Sequence, residues 1–191
     1  MIGGGDEVEP VSAIDPRVVR GPLRQLYGEL DARVAEHGPA CAVSGRCCRF
    51  EEYGHTLFLS AAEAALLVAD APPPARPLDD PSCCPWQDQA GRCTAREARP
   101  LGCRVYFCDP SYEGKAEPLT EEFLGRLRRL VDSLGLPWGY ARLHHHVNAA
   151  ARAGLLPDGA AGDDPGREEP GPGDPVSGRE SLDISPSDQY S

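Results

Sequence analysis

Eight cysteines punctuate the chain in two groups: Cys41, Cys47 and Cys48 in the stretch CAVSGRCCRF, then Cys83, Cys84, Cys93, Cys103 and Cys108. Thiols usually serve as small buried apolar groups, as redox pairs or as metal ligands. Clustering argues against the first use, and the absence of any Cys-x-x-Cys argues against the second. Disulfides would suit the even count. However, the opening MIGGGDEVEP has neither the basic region nor the apolar run of a secretory signal. The expected setting is therefore cytoplasmic, where thiols stay reduced, and metal ligation is the chemistry that remains.

Arginines accompany the thiols. Arg46 and Arg49 flank the first group, and Arg92, Arg96, Arg99 and Arg104 are interleaved with the second. A thiolate is the metal-binding form of cysteine, and a guanidinium nearby lowers the cost of ionising it. Four thiolates on a divalent ion leave a surplus of negative charge that such arginines can offset.

CAVSGRCCRF followed by CPWQDQAGRCTAREARPLGCRVYFC resembles the YkgJ-type cysteine-cluster proteins, described as zinc- or iron-chelating domains. Their pattern opens C-x-x-C-x-x-C-C and continues with Cys-Pro and an apolar residue, Gly-x-Cys, then Arg-Pro-x-x-Cys-Arg. Cys41, Cys47 and Cys48 match the first part; Cys84-Pro85, Gly91-Arg92-Cys93 and Arg99-Pro100-Leu101-Gly102-Cys103-Arg104 match the rest. The likeness covers residues 38 to 110. With the thiolate chemistry it makes Cys41, Cys47, Cys48, Cys84, Cys93, Cys103 and Cys108 the candidate metal ligands. The resemblance selects Cys84 over its neighbour Cys83. Ser44 stands where the family has its second cysteine, and Arg96 where an aromatic residue is common. A neutral hydroxyl is a poor substitute for a thiolate, so the first group must recruit from the second to complete a four-ligand shell.

Zinc accepts four thiolates in a tetrahedron and would staple the loops of a small core. A four-iron, four-sulfur cluster takes four cysteines as well, and some flagellin lysine methylases carry a similar motif associated with one. The number of cysteines also allows two metals. Adjacent Cys47 and Cys48 diverge in extended or helical backbone, so both serve one centre only if the chain turns there.

The positioning elements read as helices. Pro22 is expected in the first turn of one whose apolar stripe runs Leu23, Leu26, Tyr27, Leu30 and Val34 and which stops at Gly38. A short extended run covers Thr56 to Leu59. Ser60 and Glu63 then form a capping box for a helix to about Ala69, ended by the prolines of APPPARPLDDP. Residues 82–110 show little periodicity and are expected as loops and turns. Thr120 is expected to cap a third helix with the stripe Phe123, Leu127, Leu130, Val131 and Leu134, closed by Gly135 and Pro137. The spacing of RLRRL within it predicts charges facing water rather than a phosphate site. A last helix is expected from Trp138 to Ala153. Its three adjacent histidines, His144 to His146, cannot all face one ion, because neighbouring helical side chains diverge by about 100°.

The fold expected is mainly α: a small single domain over residues 15–156 with a loop-rich, cysteine-ligated centre. It lies between a flexible amino terminus (1–14) and a disordered acidic, Pro/Gly-rich tail (157–191). The formal charge of −11 argues against nucleic-acid binding. From residue 151 onward, nine acidic residues outnumber three basic ones, with few large apolar side chains to repay ordering. No run is apolar enough for a membrane helix. The function expected is metal binding, zinc or iron, with the centre structural or used for metal handling. An iron–sulfur redox or protein-lysine-methylase-like enzyme is the alternative. Enzymatic status stays open, because the chain has no G-x-G-x-x-G, phosphate loop, G-x-S-x-G or H-E-x-x-H. An interaction module, with the acidic tail or a helix finding a protein partner, is a third possibility.

Overall fold

A computed structural model of the protein describes residues 11–156. The expected acidic tail, 157–191, and residues 1–10 lie outside the described residues. Helix α1 (Pro16–His37) is set by Asp15, whose carboxylate accepts from the Arg17 N–H at 2.9 Å, and by Pro16 at the first helical position. It ends at Gly38, which adopts the left-handed conformation at φ 59°. The expected start was too late, since Pro22 lies inside α1. The apolar stripe already begins at Val19, and burying it outweighs the single backbone hydrogen bond a proline forfeits. The packed region also begins before Asp15: Val11 and Ile14, in the segment expected to be flexible, are buried.

Strand β1 (Phe58–Leu59) leads into helix α2 (Ala61–Asp70), where the Ser60–Glu63 capping box forms as expected. Within the stretch expected to be loop, residues Leu101–Val105 form a short helix, α3, with Cys103 on it. Helix α4 (Ala116–Ser133) starts one turn earlier than expected. Pro118 fits its first turn, where no intrahelical N–H is needed, and Thr120 bonds back to the Ala116 carbonyl at 2.7 Å instead of capping. Its stripe is as read: Phe123, Leu127 and Val131 are fully buried. Strand β2 (Ala141–Arg142) pairs antiparallel with β1, Phe58 opposite Arg142 and Leu59 opposite Ala141. That pairing delays the last helix, α5 (Leu143–Arg152), to Leu143.

The protein is mainly helical, with α1 packed on α2, α3 and α4, and α2 on α5. One apolar cluster joins these helices and includes Cys48, Cys84 and Trp86. Among the described residues, no helix is long and apolar enough to cross a membrane.

Candidate metal centre

Each cysteine-bearing segment is fixed to the next by backbone hydrogen bonds. The first group sits on a 3-10 turn, Arg46–Cys48, entered through Gly45 in the left-handed conformation. That turn is the backbone bend the adjacent cysteines required, and it brings the Cys47 and Cys48 sulfurs to 3.9 Å. The segment beyond it pairs antiparallel with the second group. Arg49 bridges to Cys83, the Cys84 N–H donates to the Cys48 carbonyl at 2.7 Å, and the Glu51 N–H donates to the Ser82 carbonyl.

From Cys84 the chain forms a narrow hairpin. Gln87 pairs with Cys93, and the Thr94 N–H reaches the Trp86 carbonyl at 2.8 Å. Asp88 closes its turn by accepting from the Arg92 N–H at 2.7 Å. Gln87, buried, ties this hairpin to the first group: its amide nitrogen donates to the Gly45 carbonyl at 3.0 Å and the Gly91 carbonyl at 3.2 Å. Nothing larger than glycine fits at 45. A Cβ there would run into the Gly91 carbonyl oxygen and lie 2.7 Å from the Gln87 amide nitrogen.

Helix α3 brings Cys103. Its amino terminus is held by Glu63, a fully buried carboxylate on α2 that accepts from the Leu101 N–H at 2.8 Å and the Tyr27 hydroxyl at 3.0 Å. The same carboxylate accepts from the Ser60 N–H at 2.9 Å and the Ser60 hydroxyl at 3.1 Å. Burial pushes the Glu63 pKa up, against the pull of these donors. The core that stabilises the fold thereby also positions a candidate ligand.

All seven candidate cysteines line one cavity of about 70 Å³, with Trp86, Leu67 and Leu143 forming apolar wall and Arg92, Arg96 and Arg99 at its side. Cys83 does not line it. Cys48 and Cys84 are buried, Cys47, Cys93, Cys103 and Cys108 half-buried, and Cys41 exposed. The Cys48 sulfur meets that of Cys47, and Cys84 and Cys93 lie near enough to push its pKa up. The observed 3.9 Å between Cys47 and Cys48 is close to the roughly 3.8 Å edge of a tetrahedron built on zinc–sulfur bonds of about 2.3 Å. Among the described residues, no group of three or more His, Cys, Asp or Glu side chains already stands in position to hold an ion. A metal would have to draw further sulfurs inward, which rotation about χ1 allows.

Electrostatics prepares two of the thiols. The neighbouring Cys48 thiol, aided by the Arg99 guanidinium, lowers Cys47 to about 6 and Cys93 to about 7. Cys48 is pushed up by the thiols of Cys47, Cys84 and Cys93, and desolvation pushes Cys103 up. The other arginines divide. Arg92 is paired with Asp88, and Arg49 with Glu52, while Arg46 and Arg49 lie against the Tyr53 ring. Arg104 turns away to Asp31, the Glu97 and Arg99 carbonyls and the Tyr27 ring, so its role is in packing.

The histidine run behaves as its geometry required. His144 meets the Cys83 carbonyl at 3.1 Å and His146 the Leu59 carbonyl at 3.1 Å, pointing apart. The charges of RLRRL face carboxylates on the surface, Arg126 with Glu29 and Arg128 with Asp132. Sequence reasoning missed Gln87, Glu63 as the anchor of α3, and His55, which meets the Cys47 carbonyl at 3.3 Å. Gln87 and His55 belong to no motif, and Glu63 was legible only as half of its capping box.

Comparison with protein-family models, with curated proteins and with solved structures finds no match to this chain.

Proposed function

We propose that this is a metal-binding cysteine-cluster protein of the YkgJ type, whose zinc or iron centre stabilises the fold or serves metal handling. The observation that carries the reading is the convergence of Cys47, Cys48, Cys84, Cys93 and Cys103, from three separate segments, on one small cavity beside Arg99. Five soft donors exceed the four of a closed zinc or iron–sulfur shell. When bound, the metal would supply a cross-link among the loops. The protein's own part is to turn Cys47 and Cys48 the same way, to hold Cys93 on the hairpin through Gln87, and to present Cys103 from α3.

A second reading rests on a separate observation. Cys47 and Cys103 also border a depression of about 230 Å³ walled by His55, Phe58, Tyr106 and Tyr140. That is room for a substrate beside the centre, where an iron–sulfur redox or lysine-methylase-like activity would act. Metal analysis and a visible spectrum on protein purified without oxygen separate the readings. Colourless protein with bound zinc supports the first; iron with sulfide and a band that bleaches on reduction supports the second. Protein that retains neither metal overturns both.

A further inference from the structure

The seven thiols around the cavity fall into two sets. Cys47, Cys48, Cys84, Cys93 and Cys103 act on one another electrostatically, whereas Cys41 is exposed and Cys108 lies beside the Ser44 hydroxyl. The two segments that carry this pair are joined by the Ala40 N–H, which donates to the Asp109 carboxylate at 2.8 Å. Asp109 is itself fixed, because it also accepts from the Ser111 N–H at 2.9 Å to start the 3-10 turn Pro110–Tyr112. On the same side, the Ser44 hydroxyl lies 3.9 Å from the Cys108 sulfur, and Arg49 holds the Ser44 carbonyl at 3.0 Å. Cys41 is exposed, whereas Cys48 and Cys84 are buried. Cys41 also lines the cavity, so a metal entering on this side meets an exposed thiol first.

We infer that Cys41 and Cys108, with the Ser44 hydroxyl, form a second, outer position for a thiophilic metal ion, through which the inner sulfurs gain and lose their metal. The inference rests on the metal-binding reading above. Two thiols and a neutral hydroxyl make a weaker set than four thiolates. Weakness suits a transfer position, because a set as strong as the inner one would trap the ion. The chemistry is ligand exchange without oxidation. As each sulfur binds, its thiol proton passes to solvent, and as the ion moves inward, the outer thiols are reprotonated while inner thiols release theirs. Serine at position 44, beside two cysteines, is the residue that sets this difference.

The test uses the full chain loaded with zinc alone. Retained zinc is measured after dialysis, and its removal by an excess of a chromogenic chelator is timed. The double variant Cys41→Ser/Cys108→Ser is expected to keep the wild-type retained zinc and melting temperature. It should lose zinc to the chelator at least about tenfold more slowly, the scale on which supporting groups alter metal sites. Ser44→Cys, which completes three outer thiols, is expected to retain additional zinc. Removal rates within twofold of wild type, together with unchanged retention in Ser44→Cys, overturn the outer position. Loss of the retained zinc in the double variant also overturns it, by assigning Cys41 and Cys108 to the inner set. Wild-type protein that retains no zinc, and no iron when purified without oxygen, overturns instead the metal-binding reading on which the inference stands.

Discussion

Substituting Gly45 with alanine tests whether the first cysteine group is clamped against the hairpin. The perturbation has two parts. Gly45 has φ 69°, where an L side chain costs about 1–2 kcal/mol. The added Cβ also meets the Gly91 carbonyl oxygen and the Gln87 amide nitrogen, so the turn must move and the Gln87 bonds to Gly45 and Gly91 are weakened. Losing buried hydrogen bonds of this kind costs about 1–3 kcal/mol.

Gly38 supplies the control. Its φ is 59°, nearly the same strain, but an added Cβ there meets nothing within 4 Å. Gly38→Ala should therefore cost only the backbone part, and Gly45→Ala about 2–5 kcal/mol in all. In a domain of this size each kcal/mol lowers the melting temperature by about 2–4 °C. Thermal unfolding followed by circular dichroism should put Gly45→Ala several degrees below Gly38→Ala, and retained metal should fall in Gly45→Ala alone. Equal melting temperatures for the two variants would refute the clamp, since strain without contact would then explain everything.

Glu63→Gln should destabilise the protein by about 2–4 kcal/mol in urea unfolding, because whichever way the amide turns, its NH2 faces the N–H of Ser60 or Leu101. A protonated carboxyl keeps a lone pair on each oxygen, so the penalty should persist at low pH; a loss below 0.5 kcal/mol would show that the anchor is dispensable. Cys84→Ser should lower retained metal and Cys83→Ser should leave it unchanged, as read by elemental analysis, because only Cys84 lines the cavity. Burial lowers the pKa of both His144 and His146. Above about pH 6.5 each is neutral whether folded or unfolded; as pH falls below that, the unfolded chain takes up protons first and stability declines until the lower folded pKa values are reached. Urea midpoints between pH 7.5 and 5 should show this decline, and a flatter profile in His146→Gln would assign part of it to His146.

The helices were legible where their signals are local. The Ser60–Glu63 box and the stripe Phe123, Leu127, Val131 needed only spacing and a cap. Pro22 and Thr120 misled because each is a common helix start that also fits inside a helix once the preceding residues supply a stronger one. Helix α3 was illegible: five residues carry no periodicity, and its amino terminus is held by Glu63, distant in sequence. The grouping of the cysteines was plain in the sequence, and the family resemblance pointed to Cys84, which lines the cavity, rather than to Cys83, which does not. What no motif could reveal is the partition of the thiols, which depends on where the Ala40–Asp109 bond and the Gln87 clamp place each segment.

Helix α2 and the proline-rich segment after it lie between Cys48 and Cys84 in the chain, although these residues are hydrogen-bonded neighbours in the fold. That arrangement sets an order of events during synthesis. Cys41, Cys47 and Cys48 leave the ribosome first, and they stay without partners until the intervening helix and hairpin have been made. The centre is closed by contacts distant in sequence, so it completes late and cannot nucleate folding. Until then the newborn chain presents three open thiols, and its exposure to oxidants is greatest before the second group of cysteines arrives.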